Sequence, residues 1–261
     1  MHRSLRIFAR LQRSCLNNLL IAHVNFMRDL MLNSGINVRP TRSSKTSFAD
    51  TLRKEEEIKT ILHLCADLGS DSKYYQLDPK YNVIMVGENI GVENFTPPKN
   101  VHGIIANPVC TEFSTAKGFH KENDIEKGMF LVKHCQRIIE LANPVWWVIE
   151  NPANGLLREC IGKPKAVYQP WQYGSPWTKK TALWGNFTMP EPLYTDWEYC
   201  PKNPALYVRP GRPKPALAFL HKSAVNLIPE MQWAKDKIKC DADIRSMCSN
   251  GFAKAFYLAN K

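Results

Sequence analysis

Long apolar runs are missing from this sequence. No stretch approaches the roughly 18 consecutive apolar residues that a membrane-spanning helix needs, which excludes that class and predicts a soluble chain. Metal-binding spacing is missing too. The eight cysteines, at 15, 65, 110, 135, 160, 200, 240 and 248, include no Cys-x-x-Cys pair. No nearby histidine completes a zinc pattern either, so no structural metal is expected. Their dispersal lacks the rhythm of a disulfide framework and predicts a reducing compartment, the cytoplasm. Acidic residues are scarce: 24 Asp and Glu face 35 Lys and Arg, for a net charge of +11. That balance suits a polyanionic partner, because each neutralised phosphate releases counterions, although a basic surface also serves solubility alone.

The scarcity of acid is sharpest at the start. No Asp or Glu precedes Asp29, while Arg3, Arg6, Arg10 and Arg13 recur at helical spacing. Three readings stay open for this segment: an Arg-rich organelle presequence, a basic helix that contacts phosphates or a partner, and an extension without a role. A polar linker follows at Arg39-Pro-Thr-Arg-Ser-Ser-Lys-Thr-Ser47, and the charged residues Arg53 to Glu57 predict a short helix over 49–60. The chain therefore divides into a basic extension and linker (1–57) and one domain (58–261), a size at which a single core can be fully buried. Nothing in the sequence bears on oligomeric state.

From residue 60 short apolar runs alternate with helical or loop stretches. Strands are predicted at Thr60–Cys65, Asn82–Val86, Val101–Ala106, Val145–Ile149 and Thr181–Trp184. A helix is predicted over Asp124–Ala142, with Ile125, Met129, Val132, Cys135, Ile138 and Ile139 along one face and Asn143-Pro144 ending it. Strands recurring with helical crossovers imply an α/β fold with a mostly parallel, doubly wound sheet and helices on both faces. Ligands of such sheets sit beyond the carboxyl ends of the strands. The loops at those ends carry Asp67, Gly69, Glu88, Asn107, Cys110, Glu150 and Asn151.

Ala106-Asn-Pro-Val-Cys-Thr-Glu-Phe-Ser114 directly follows a strand, so Cys110 falls at the ligand edge. An isolated cysteine is commonly a small buried hydrophobe, and the other seven are read that way. At Cys110, backbone N–H groups of the turn are expected to favour the nucleophilic thiolate. Glu88, ending the second strand, is placed to accept hydrogen bonds from ribose hydroxyls, and Gly69 allows close backbone approach after the first. Trp171-Gln-Tyr-Gly-Ser-Pro-Trp177, followed by Lys179 and Lys180, mixes aromatic faces with cations, which suits bases and phosphates and equally fits a packed loop.

Several of these segments together resemble the DNA cytosine-5 methyltransferases, in particular short phage-type members. Pro108-Val-Cys-Thr-Glu-Phe-Ser114 is similar to that family's Pro-Pro-Cys-x-x-(Phe)-Ser loop, and Val148-Ile-Glu-Asn-Pro152 to its Glu-Asn strand end. Leu64-Cys-Ala-Asp-Leu-Gly69 stands at its S-adenosylmethionine loop, Tyr173–Trp184 at a stretch of its phage-type members, and Gly251–Asn260 at its closing segment. The matches run in the family's order over residues 60–260. The resemblance implies a Rossmann-like methyltransferase fold, S-adenosylmethionine as cofactor, and DNA methylation, as in phage and restriction–modification enzymes. The DNA would present a cytosine flipped from a duplex or one already single-stranded.

It further implies Cys110 as the nucleophile adding to cytosine C6 and Glu150 as the carboxyl acting at N3, its pKa raised by apolar neighbours such as Trp146 and Trp147. Cofactor contacts would fall to Ala66, Asp67, Gly69, Glu88 and Asn107. Pro108, Ser114, Asn151, Lys179 and Lys180 would contact the substrate.

The chain departs from the pattern in three places. A single glycine, Gly69, stands in the cofactor loop, and Val109 replaces the second proline of the cysteine loop. The Pro-rich stretch between Phe187 and Arg245 is short for a separate target-recognition domain and predicts irregular structure. Two other readings compete. Asn107-Pro108 fits an amino-group methyltransferase, and the short variable stretch permits the same chemistry on a free pyrimidine nucleotide. The thinned glycine loop and basic start fit a catalytically inactive protein that keeps the fold to bind DNA or a partner.

Overall fold

The computed structural model describes residues 58–115 and 122–261. The Arg-rich extension and, up to residue 57, the helix expected over 49–60 lie outside the described residues. Within them the chain builds one six-stranded sheet: β1 (Lys59–Leu64), β2 (Tyr81–Val86), β3 (Val101–Ala106), β4 (Trp146–Pro152), β5 (Ala166–Tyr168) and β6 (Thr181–Asn186). The strand order is β2-β1-β3-β4-β6-β5. β2, β1, β3 and β4 run parallel, while β6 lies antiparallel between β4 and β5. The helices are α1 (Lys73–Leu77), α2 (Ile125–Ala142), α3 (Leu157–Ile161), α4 (Asp241–Ser246) and α5 (Asn250–Ala259).

A parallel sheet must be covered on both faces, and the strands are apolar on both with a period of two. Leu62, Leu64, Ile104, Ala106 and Ile149 face Val132, Cys135, Ile138 and Ile139 of α2. Their neighbours Ile61, Ile105 and Val148, joined by Leu183 of β6, face Tyr75 of α1 and Phe252, Ala253 and Phe256 of α5. Each side chain of this size removed from water contributes about 1.5–3 kcal/mol, so both faces hold the sheet. At the start of α2 the Asp124 carboxylate accepts from the Lys127 N–H (2.9 Å). Its end is a left-handed Asn143 (φ 43°) whose N–H bonds the Ile139 carbonyl, with Pro144 barring further helix.

The structure corrects the sequence reading in places. β1 begins at Lys59, so the charged helix expected through residue 60 does not reach it, and it stops at Leu64 because Cys65 adopts a positive φ of 52°. The strand expected at 181–184 runs against its neighbours. Only the short α3, the three residues of β5 and a 3-10 turn at Pro170–Tyr173 intervene after β4, and the chain then turns back so that Thr181 pairs with Pro152. No crossover helix is available there to restore the parallel direction.

The Pro-rich stretch is irregular, as a chain short of N–H donors must be, but it is not coreless. Its 3-10 turns set Leu206, Leu217, Leu220, Val225, Ile228 and Met231 around Trp177, a third cluster completed by Ile244 of α4 and Met247. Among the described residues no helix is long and apolar enough to cross a membrane.

Candidate active site

β1 and β3 are neighbours whose chain connections leave in opposite directions, β1 toward β2 and β3 toward β4. The crevice beyond their carboxyl ends is the switch point of the sheet. The backbone there is knitted tightly: the Ala66 N–H donates to the Val86 carbonyl (3.1 Å) and the Asn107 N–H to the Leu64 carbonyl (3.1 Å). Because β6 is antiparallel, its first residues join the same edge, with Lys179 just before Thr181.

Four polar groups meet at this edge. The Asn107 amide donates through Nδ2 to Asp71 Oδ1 (3.3 Å) and to Glu150 Oε2 (3.4 Å). With both its protons committed, its oxygen must accept, and His63 Nε2 lies 2.9 Å from it. The His63 proton therefore sits on Nε2, and Nδ1 accepts from the Ser72 hydroxyl (2.8 Å). Gln76 Nε2 in turn donates to Ser72 Oγ (2.8 Å). A relay from Gln76 through the fully buried Ser72 and His63 thus fixes the amide that holds two carboxylates. On the other side Lys179 Nζ lies 3.8 Å from Glu150 Oε1 and donates to the carbonyls of Ser246 (3.0 Å) and Met247 (3.3 Å).

Burial pushes the Glu150 carboxyl up, and the charges of Asp71 and Asp67 add to it against the opposing pull of Lys179 and the Asn107 hydrogen bond. Of the expected tryptophan pair only Trp146 packs on this side, in one cluster with the apolar residues beside Glu150. Ile105, Val148, Leu183, Phe252, Ala253 and Phe256 line a cavity of about 20 Å³ beside Glu150 and Asp71. Trp147 belongs to the opposite face of the sheet. Burial likewise works against the Lys179 ammonium, but Glu150, Asp71, Cys248 and Cys110 outweigh it and hold Lys179 up.

Cys110 is half-buried and opens the 3-10 turn Thr111–Phe113. The expectation of a favoured thiolate is overturned for the free protein. Burial pushes the thiol up, the Glu150 charge pushes it further, and Lys179 and the backbone N–H only partly offset them. A three-residue turn has too little dipole to reverse desolvation.

The other expected residues divide. Pro108 is buried, and its carbonyl accepts from Asn151 Nδ2 (2.9 Å), tying the cysteine loop to the end of β4. The second polar atom of that amide, Asn151 Oδ1, is buried without a hydrogen-bond partner. The Ser114 carbonyl accepts from Asn123 Nδ2 (3.1 Å), which fastens the far end of the loop. Ala66 and Gly69 line the turn after β1, where Gly69 has φ 78° and a Cβ would meet Gln76 Nε2 at 2.8 Å and Met85 Cε at 2.9 Å. Asp67 and Glu88 are exposed at the ends of β1 and β2. Of the paired lysines only Lys179 reaches Glu150; Lys180 is exposed, and its carbonyl accepts from the Ala153 N–H (2.9 Å). Within Trp171–Trp177, Tyr173 and Trp177 are core residues, so that half of the stretch is packing.

Sequence reasoning missed Asp71, His63 and Ser72. Signals were present: His63 interrupts an otherwise apolar strand, and Ser70-Asp71-Ser72 follows the loop glycine directly.

No family model matches the chain, and no curated protein matches it. Among solved structures, it is similar to a prophage-encoded protein of E. coli provisionally described as a DNA modification methyltransferase. The two are 16% identical, the match covers 49% of this chain and 46% of that one, and the TM-score is 0.36.

Proposed function

We propose that this protein is an S-adenosylmethionine-dependent DNA cytosine C5 methyltransferase that works through a covalent bond from Cys110 to C6 of the base. One observation carries the reading: Cys110 and Glu150, at the ends of adjacent strands β3 and β4, both act on one buried lysine, Lys179, which lies 3.8 Å from Glu150, and the Glu150 charge reaches Cys110. A structural thiol and a solvated carboxylate would need no such coupling. The order β2-β1-β3-β4 with helices on both faces supports a Rossmann-like cofactor fold. The residues present suit the cofactor: a Gly69 in the left-handed conformation (φ 78°) that side chains disfavour, a small Ala66 and the exposed carboxylate of Glu88. When bound, S-adenosylmethionine supplies an electrophilic methyl group.

Cytosine C5 is too weak a nucleophile to take that methyl unaided. The Cys110 thiolate adds to C6, forming a C–S bond and sending the C5–C6 π electrons toward the N3 side of the ring. Glu150 in its protonated form gives its proton to N3 and so accommodates that charge. The two groups share one problem: beside Lys179, a second negative charge is costly. Either Glu150 is ionised and Cys110 neutral, or Glu150 is neutral and Cys110 ionised. A base whose N3 accepts from protonated Glu150 selects the second state, so the thiolate appears only when a target is seated. After C5 is methylated, loss of its proton to a base expels the Cys110 thiolate and restores the aromatic ring, and N3 returns its proton to Glu150.

The test is transfer of a radiolabelled methyl group to duplex DNA, single-stranded DNA and free nucleotide, followed by digestion to nucleosides. Label in 5-methylcytosine is expected. Label in N4-methylcytosine or N6-methyladenine overturns the C5 chemistry, and no label in any substrate overturns the enzyme reading in favour of an inactive binder.

A further inference from the structure

Between Glu198 and Glu230 the chain carries Lys202, Arg209, Arg212, Lys214 and Lys222 and no acidic residue. This stretch is fastened to the rim of the site at both feet. Leu193 and Tyr194 donate their N–H groups to the Gln172 carbonyl (2.9 and 3.0 Å). Farther along, Thr178 and the 215–217 segment exchange backbone hydrogen bonds, Thr178 N–H to Pro215 (2.9 Å) and Leu217 N–H to Thr178 (3.0 Å). Thr178 directly precedes Lys179, the cation paired with Glu150. Leu206, buried in the third cluster, pins the middle.

What this scaffold holds out is selective. Lys214 Nζ sits over both Trp171 (5.2 Å) and Trp197 (5.1 Å), whose rings meet edge to face at 6.3 Å. Lys202 lies over Trp197 (4.4 Å) and donates to the Cys200 carbonyl (2.8 Å). Those two cations are engaged in shaping the loop. Tyr199 and Tyr207, at 77% and 56% exposure, are not packed away. Arg209-Pro-Gly-Arg212 is a tight turn closed by the Arg212 N–H to the Arg209 carbonyl (3.0 Å), with Gly211 at φ 77° as such a turn requires. The turn carries two exposed arginines three residues apart, Arg209 with its guanidinium over the Phe219 ring (4.8 Å).

We infer that the loop Tyr199–Lys214 is the surface that holds the nucleic-acid strand carrying the target base, with Arg209 and Arg212 on its phosphates and Tyr199 and Tyr207 stacked on its bases. A guanidinium group matches phosphate oxygens in geometry as well as charge. Exposed tyrosine rings give bases a stacking face that tolerates any sequence. The inference rests on the nucleic-acid reading of the site.

The test is binding of a labelled oligonucleotide, single-stranded and duplex, to the full chain across a salt series. Two double variants are compared with wild type, Arg209→Ala with Arg212→Ala, and Tyr199→Ala with Tyr207→Ala. A control removes two exposed lysines of α2, Lys127→Ala with Lys133→Ala. Each loop variant is expected to weaken binding about tenfold or more, and the arginine pair alone to lower the salt slope by roughly one for each phosphate it no longer neutralises. The control should change neither. Loop variants that bind like wild type, while wild type still methylates DNA, overturn the inference and leave the proposed function standing. Wild type that binds no oligonucleotide overturns the inference too, and methyl transfer to free nucleotide then tells whether the chemistry survives.

Discussion

At the ends of β3 and β4 the polar groups are tied to one another. Asn107 holds Asp71 and Glu150, His63 and Ser72 hold Asn107, and Lys179 is braced between Glu150 and two carbonyls. At the ends of β1 and β2 the side chains Asp67 and Glu88 stand in solvent, and what is fixed is backbone, through Ala66 and the left-handed Gly69. One half of the edge is thus organised before any ligand arrives, so the reaction need not reorient its dipoles. The other half has a preset shape but must take its polar partners from the ligand. Substitutions in the first half should therefore strike rate and stability, and those in the second affinity alone.

The largest effect should come from Glu150→Gln, which keeps the shape and hydrogen-bonding reach of the side chain but has no proton to give N3. Single-turnover methyl transfer is expected to fall by about 10²–10⁴, the range for a lost general acid, with cofactor affinity by calorimetry unchanged. A fall in both would break the division between the halves. Next, Asn107→Ala leaves the His63 N–H without an acceptor and sets two carboxylates in one place without their shared donor. A loss of about 1–3 kcal/mol in urea unfolding is expected. On the opposite side, Glu88→Ala removes the exposed carboxylate proposed to accept from the ribose hydroxyls. It should weaken S-adenosylmethionine binding by about tenfold, about 1.4 kcal/mol, and leave the urea midpoint in place.

The smallest effect is a shift along the pH axis. The rate of Cys110 alkylation by iodoacetamide, followed by peptide mass mapping, rises with pH as the thiolate forms. Since the Glu150 charge pushes the thiol up and Lys179 pulls it down, Glu150→Gln should move the rise to lower pH and Lys179→Met to higher pH. Equal curves for the three proteins would contradict the coupling of Cys110 to its neighbours.

The four parallel strands were largely legible in the sequence because they are short apolar runs, β2 and β3 stopping at Gly87 and Asn107-Pro108. α2 was legible because its apolar residues keep helical spacing up to Asn143. β4, however, runs on through Asn151-Pro152, and the three residues of β5 were not legible. The direction of β6 was not, since antiparallel pairing depends on how 153–180 turns back and leaves no mark within Thr-Ala-Leu-Trp184. In the site, residue types marked Cys110, Glu150 and Asn107, but the protonation of the thiol depends on burial by residues distant in sequence. The role of Asp71 was hidden for the same reason: it is held beside Glu150 by the amide they share, that of Asn107, which spacing along the chain does not reveal. Choosing between Lys179 and Lys180 required the register of β6, where alternate side chains leave in opposite directions.

The central claim is that Cys110 bonds covalently to the target cytosine. Fluorine at C5 cannot leave as a proton, so after methyl transfer the thiolate cannot be expelled. The protein is incubated with S-adenosylmethionine and DNA containing 5-fluorocytosine, beside a Cys110→Ser control, and run on a denaturing gel. A shifted band that is present for wild type and absent for Cys110→Ser is the expected result. A band that persists in Cys110→Ser, or methyl transfer to ordinary DNA with no trapped band, would contradict the account.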